Sequence, residues 1–379
     1  MRFRSGIVVL FLAAFASGGA QAGVLADDRA DAMYHLYTGG GVDISGPSIL
    51  VRKKVGSNVS FVANYYVDMI SSASIDVITT ASPYDEERTQ WSLGMDYLRG
   101  NTTMTVNYTS SVESDFDATT YSFSVSQDMF GDLTTITLSY ALGDDIVGSS
   151  QDPSFMREND RQAYGVGVTQ ILTRNMIAAF NFEVITDEGF LNNPYRSVRY
   201  ADPGTALGYS YEPELYPNTR TSSAAGLRVK YYLPYRAALE GEYRYFTDTW
   251  GIDSNTASLT YIHPLGPWTF TAKYRYHDQT GANFYADLFP RAEATNFRAR
   301  DKELSPLTST TIKLAAAYEF IGGAEGWRFI KKASINASLD MLHIDYHDFK
   351  DLSTPTPFPD EPLYELDAAI FQLYFSFWY

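Results

Sequence analysis

The chain has 379 residues, no cysteine, a formal net charge of −16 and 52 Tyr and Phe residues (29 and 23). Without cysteine there are no disulfides and no thiolate zinc site. The acidic balance argues against nucleic acid, whose phosphates it would repel, and suits cations or lipid headgroups bridged by divalent ions, or simple solubility.

Taken in order, residues 1–22 read as a cleaved export leader. Arg2 and Arg4 precede an apolar run from Ile7 to Ala16, and Ala20-Gln21-Ala22 is an A-x-A cleavage site, which starts the mature chain at Gly23. The apolar run is too short for a spanning helix, and no later stretch is apolar for long enough. A membrane location would therefore require a closed barrel.

From residue 31 onward one pattern repeats: alternating apolar and polar residues, a tight turn, a second alternating run, then a longer polar loop. Asp31 to Tyr37 is broken at Gly39-Gly40-Gly41, and a run from Val42 to Val55 turns at Gly56-Ser57-Asn58. Val59, Phe61, Ala63, Tyr65 and Val67 follow on one face, then a loop from Ser74 to Glu87. Trp91, Leu93, Met95 and Tyr97 turn at Arg99-Gly100-Asn101 into Met104, Val106 and Tyr108. The clearest hairpin sets Tyr121, Phe123 and Val125 against Ser122, Ser124 and Ser126, turns at Phe130-Gly131-Asp132, and returns through Ile136, Leu138, Tyr140 and Leu142. An apolar period of two is a strand signal and excludes a helix here.

Tyr164, Val166 and Val168 lead through Arg174-Asn175 to Phe180, Phe182 and Val184. The longest irregular stretch then runs from Gly189 to Ser222; a loop of that length is functional or disordered. Two more hairpins follow, turning at Pro234-Tyr235 and at Pro264 to Pro267, then a second long loop from Asn283 to Pro306. Ile312 to Phe320 turns at Gly322-Gly323 into a strand over Ala333 to His347, and a proline-rich loop leads to the last strand. There Ala369, Phe371, Leu373, Phe375, Phe377 and Tyr379 share one parity, against Gln372, Tyr374 and Ser376. Such a greasy strand is an aggregation hazard in water, but it suits lipid on one side of a closed sheet. The competing reading is a sandwich strand in a soluble core.

The count is about 16 segments, with short and mostly long connections alternating, as in outer-membrane barrels. Two outer loops, near Asp115-Phe116-Asp117 and Trp250-Gly251-Ile252, are short enough to disturb that count. The expected fold is all-β: a single transmembrane antiparallel barrel over residues 23–379, with tight periplasmic turns, located in the outer membrane and bounded by its lipid. The terminal strand ending in Tyr379 resembles the signal read by the barrel-assembly machinery.

Charged residues on the polar parity belong in the lumen, since Arg or Lys facing hydrocarbon at midplane costs roughly 2–4 kcal/mol. The lumen candidates are Asp68, Asp96, Arg228, Lys230, Glu240, Glu242, Arg244, Lys273 and Arg275, with Glu183, Lys313, Glu319 and Asp340 beside them. Acids and bases are mixed, which reads as a bracing ion-pair network or a solute path, and no ring of one sign is visible. His343, Asp345 and His347 share a strand face but span too much length for one ion, so they read as polar rim residues. Asp85-Glu86-Glu87 and Asp144-Asp145 lack calcium-loop spacing. There is no catalytic or phosphate-binding signature, so neither cofactor nor catalytic residues are expected, though a triad assembled from distant strands would escape such a reading.

Four stretches resemble a family of Gram-negative outer-membrane barrels classed as a domain of unknown function. They are Gly39 to Lys53 with Ser45-Gly46-Pro47-Ser48, Asn64 to Ser74, Thr79 to Arg88, and Ser126-Gln127-Asp128-Met129-Phe130-Gly131. The resemblance implies a barrel. Relatives are often encoded near a small lipoprotein, a flavin-attaching transferase and a thioredoxin-like protein. It therefore also implies a periplasmic lipoprotein or redox protein as partner, but assigns no binding residue. Three functions stay open: a porin-like channel or transport component for an unknown solute, the outer-membrane part of an extracytoplasmic redox system, and a barrel-embedded enzyme.

Overall fold

A computed structural model describes residues 24–72, 84–322, 329–354 and 356–379. The leader, the Gly322-Gly323 turn beyond Gly322, and most of the Ser74–Glu87 loop lie outside them. The first nine strands are β1 (Arg29–Gly39), β2 (Val42–Val55), β3 (Val59–Ser72), β4 (Tyr84–Arg99), β5 (Thr102–Val112), β6 (Phe116–Met129), β7 (Thr134–Gly148), β8 (Met156–Thr173) and β9 (Met176–Gly189). Then come β10 (Ser197–Ala201), β11 (Tyr209–Pro213), β12 (Thr219–Tyr232), β13 (Ala238–Asp248), β14 (Asp253–Leu265), β15 (Trp268–Gln279), β16 (Leu307–Gly322), β17 (Lys332–Lys350) and β18 (Leu363–Trp378).

Sixteen of these strands form one closed antiparallel barrel, and β10 and β11 form a separate two-stranded sheet. The count read from the sequence holds, and the two short outer loops hide no extra strand. Two boundaries differ. Tyr84 to Glu87 belong to β4, paired with Ser72 to Met69 of β3. The stretch from Gly189 to Ser222 is not irregular throughout, because it contains the β10–β11 hairpin and the first residues of β12.

The alternation sorts as expected. Phe61, Tyr65, Leu93, Phe123, Leu138, Phe182, Leu314 and Phe371 all face outward and are exposed. Their sequence neighbours Ser60, Asn64, Ser92, Ser124, Ser139, Glu183, Lys313 and Gln372 face inward, following the two-residue pleat. Only an apolar solvent makes so many exposed aromatic and aliphatic side chains favourable.

The ring closes where β1 pairs with β18 along its whole length, from Arg29↔Trp378 to Gly39↔Ala368. Cations fix the end of this seam. The Trp378 ring lies 5.1 Å from Arg29 and 5.0 Å from Lys332, and Lys53 sits 4.9 Å from the Tyr379 ring. Tyr379 also donates its hydroxyl to the Arg52 carbonyl at 3.1 Å.

The two faces respond differently to charge. Phe123→Arg, at the middle of β6, is expected to lower folding stability in lipid by about 2–4 kcal/mol. Ser124→Arg, one residue on and facing the lumen, is expected to cost clearly less. Urea unfolding in vesicles, followed by the boiled-versus-unboiled gel shift, measures both.

Candidate functional site: the lumen and its mouth

All nine lumen candidates lie on the inward parity of their strands. Six of them resolve into ion pairs. Lys230 reaches Glu240 at 3.1 Å and Arg228 reaches Glu242 at 3.3 Å, both between directly opposed residues of β12 and β13. Asp96 accepts from Arg52 at 2.8 Å and from Thr105 at 2.8 Å, and Lys313 pairs with Asp340 at 2.8 Å. Asp68 accepts from Arg88 and sits 2.7 Å from His35 Nε2.

Asp68 is the deepest of these, with 1% of its surface exposed. It lies on β3, His35 on β1, and β2 runs between them. The bridge is possible because Gly46 of β2 stands opposite His35 and presents no side chain. A Cβ at Gly46 would lie 1.8 Å from the Val67 carbonyl oxygen. The Tyr66 ring stacks on His35 with centroids 5.0 Å apart, and the Arg88 guanidinium lies 5.7 Å from that ring. Stretches quoted above for the family resemblance, those holding Gly46, Asp68 and Arg88, thus converge on one buried node. Sequence reasoning found Asp68 but missed His35, whose lumenal partner is set by barrel closure rather than by local spacing.

Arg244, Lys273 and Arg275 behave otherwise. No side-chain hydrogen bond or ion pair joins any of them to a described residue. Arg244 rests 5.6 Å from the Phe246 ring. Small polar residues fill the strand between them: Thr256, Ser258 and Thr260 of β14 stand opposite Arg244, Arg275 and Lys273 in the ladder. From β5 to β8 the inward positions at mid-height are uncharged, among them Thr105, Asn107, Ser124, Ser139 and Gly165, and all five keep accessible surface inside the ring.

At the long-loop end the connections fold into a cap. Arg199 of β10, 2% exposed, pairs with Asp287 and, at 2.7 Å, with Glu361. Arg300 pairs with the same Asp287 at 2.8 Å and donates to the Lys350 carbonyl at 2.9 Å. Burial pulls the Arg199 guanidinium down, but the carboxylates of Asp287 and Glu361 more than offset it and hold the group above its ordinary pKa. Tyr216, Trp250, Ile252, Ala282, Ala299 and Leu304 form an apolar core beneath. Burial pushes the Tyr216 phenol well up, so it stays a neutral donor to Glu214 at 2.7 Å. On the other side Tyr195 donates to Asp115 and receives the Ser150 amide at 2.6 Å, tying the cap to the β5–β6 and β7–β8 connections.

Among the described residues, Glu86, Glu113 and Asp115 are the group whose carboxylate oxygens lie within 4.8 Å of one another. Ser114 donates to Glu86 at 2.6 Å, and Tyr195 occupies Asp115, so protein donors already engage this cluster. Asp144 and Asp145 do not join it. His343 faces outward near the long-loop end and pairs with Asp367 at 2.8 Å and Asp345 at 3.1 Å, which places it at the rim as the sequence implied.

A family model described as "Protein of unknown function (DUF3570)" matches residues 10–345. The chain belongs to this family. The expectation drawn from the four stretches is thereby met as to family and barrel. No curated protein matches the sequence. Among solved structures, the DUF3570 barrel is similar to a bacterial polysaccharide outer membrane secretin, at 9% identity and TM-score 0.49 over 94% of this chain and 100% of that one. It is similar also to a Pseudomonas aeruginosa FadL homologue, at 11% identity and TM-score 0.43 over 93% and 90%. A third is the CymD monoaromatic hydrocarbon channel, at 7% identity and TM-score 0.44 over 94% and 89%. These likenesses concern architecture.

Three substitutions test the buried features. Asp68→Ala strands Arg88 and His35 and is expected to cost about 3–5 kcal/mol, with Gly46→Ala also destabilising through the Val67 carbonyl; both should lower the temperature of the gel-shift transition, whereas Asp348→Ala at the rim should not. Arg199→Ala leaves Asp287 and Glu361 short of a cation, so limited proteolysis should cut within residues 190–218 while the barrel keeps its heat-dependent gel shift.

Proposed function

We propose that this DUF3570 protein is an outer-membrane channel or transport component that passes a polar solute through its lumen beneath the loop cap. Export through the leader at residues 1–22 precedes insertion. The C-terminal strand ending in Tyr379 is read by the assembly machinery before closure, because in the finished barrel both its edges are taken by β1 and β17.

The observation that carries this reading is the state of the inner wall. A barrel serving only as a scaffold can fill its interior with interlocking side chains. Here an arc of serine, threonine, asparagine and glycine from β5 to β8 keeps accessible surface inside the ring, and across the lumen stand long cations that no described carboxylate holds in an ion pair. Small side chains leave room, and uncommitted polar groups are costly unless they meet water or solute.

Planar-bilayer recording tests it. Purified protein is expected to conduct, and Arg199→Ala, by loosening the cap, to raise the open fraction. A barrel that inserts, shifts on gels and yet passes no ions in either form would sink the channel reading. Tight co-purification of a periplasmic redox protein would then favour the sheath role.

A further inference from the structure

We propose that the lumen selects anionic solutes, and that Arg244, Lys273 and Arg275 form the contact site. This rests on the channel reading above and adds the sign of the solute's charge.

Most other charges in the lumen are spent on one another. Toward the short-turn end, lumenal acids and bases cancel in pairs: Lys230 with Glu240, Arg228 with Glu242, Arg52 with Asp96. On the wall opposite β14 in the ring, Asp68 and Asp96 are already held by Arg88 and Arg52. Among the lumenal groups named above, three cations and one acid, Glu183, stay outside any ion pair. Lys273 and Arg275 point inward from one strand, two residues apart, about 7 Å along it. Arg244 projects from the strand beyond β14, within electrostatic reach of Arg275. Glu183 and Glu242 act on Arg244, and Glu242 on Arg275 as well, but Glu242 is paired with Arg228.

The Ser258 hydroxyl lies on the strand between these cations, while the neighbouring Thr256 hydroxyl is taken up by His277 Nδ1 at 2.8 Å. Two guanidinium forks, an ammonium and the Ser258 hydroxyl along this side of the lumen are the kinds of donor that carboxylate, phosphate or sulfate oxygens require. A cation entering there would find donors and no uncommitted carboxylate except Glu183. The chain's net charge of −16 points the other way, but it is a property of the whole molecule. Solute in a lumen responds to the charges within about a Debye length of its path, roughly 8–10 Å.

The test is the reversal potential of single channels in a KCl gradient, with inorganic phosphate as a second probe. Wild-type protein is expected to favour chloride, and phosphate to reduce the chloride current. Each of Arg244→Gln, Lys273→Gln and Arg275→Gln should lower the anion-to-cation permeability ratio about twofold, and the triple variant roughly tenfold, with loss of phosphate block. The three singles keep the proposal testable if the triple variant fails to fold. A cation-selective wild-type channel, or selectivity unchanged in all three variants, overturns the inference and leaves the channel reading standing. Absence of conductance in both wild type and Arg199→Ala overturns the two together.

Discussion

Everything in this molecule follows from one constraint: in hydrocarbon no backbone amide or carbonyl may go without a partner. A sheet meets that condition only by meeting its own first strand. The β1–β18 ladder does so without a register break over eleven paired positions. The aromatic end of β18 is then clamped by cations from three different strands: Arg29, Lys53 and Lys332. Arg29 and Lys53 come from the opposite end of the chain, so their contacts with Trp378 and Tyr379 exist only in the closed ring, whereas Lys332 comes from the neighbouring strand β17.

Closure also dictates where charge can be stored. With the outer face committed to lipid, an ionisable side chain within the spanning part of a strand must turn inward and find either water or a partner, while outward ones such as His343 sit at the rim. The His35–Asp68–Arg88 node shows the second solution. A carboxylate as deeply buried as Asp68 is tolerable only when charge-assisted bonds replace its lost hydration. Gly46 makes that geometry possible by giving up its side chain so that an imidazole can reach across a strand. Arg244, Lys273 and Arg275 show the first solution.

How much of this the sequence revealed follows from the range of the interactions. Period-two alternation and turn residues are local, so Tyr121 to Leu142 announced a hairpin, and Gly56, Gly100 and Gly131, all with positive φ, marked its kind of tight turn. Parity alone picked out the nine charged candidates, and each lies on the less exposed parity of its strand. The cap was illegible for the opposite reason. Arg199 and Glu361 are 162 residues apart, and nothing near either announces the other. The β10–β11 hairpin has only five residues in each strand, in a segment rich in proline and tyrosine, too short for alternation to declare itself. Tyr84 to Glu87 read as loop because the acidic run Asp85-Glu86-Glu87 breaks the alternation, although the β3 ladder continues past it. His35 escaped because a lone histidine says nothing until strand order shows that it stands two strands from Asp68.

The lumen's sign depends on the same distinction. A list of inward residues gives a nearly balanced mixture, and balance suggests a bracing network. Pairing changes the meaning of that list. Directly opposed acids and bases, such as Lys230 with Glu240, remove one another from the field that a solute meets. Lys273 stands opposite Thr260 on one side and another cation, Lys313, on the other; Lys313 is already bound to Asp340. The residual field is therefore set by register, which places Lys273 between a hydroxyl and a cation that is already bound. The acidity of the whole chain and the positive middle of its lumen are compatible because they belong to different surfaces.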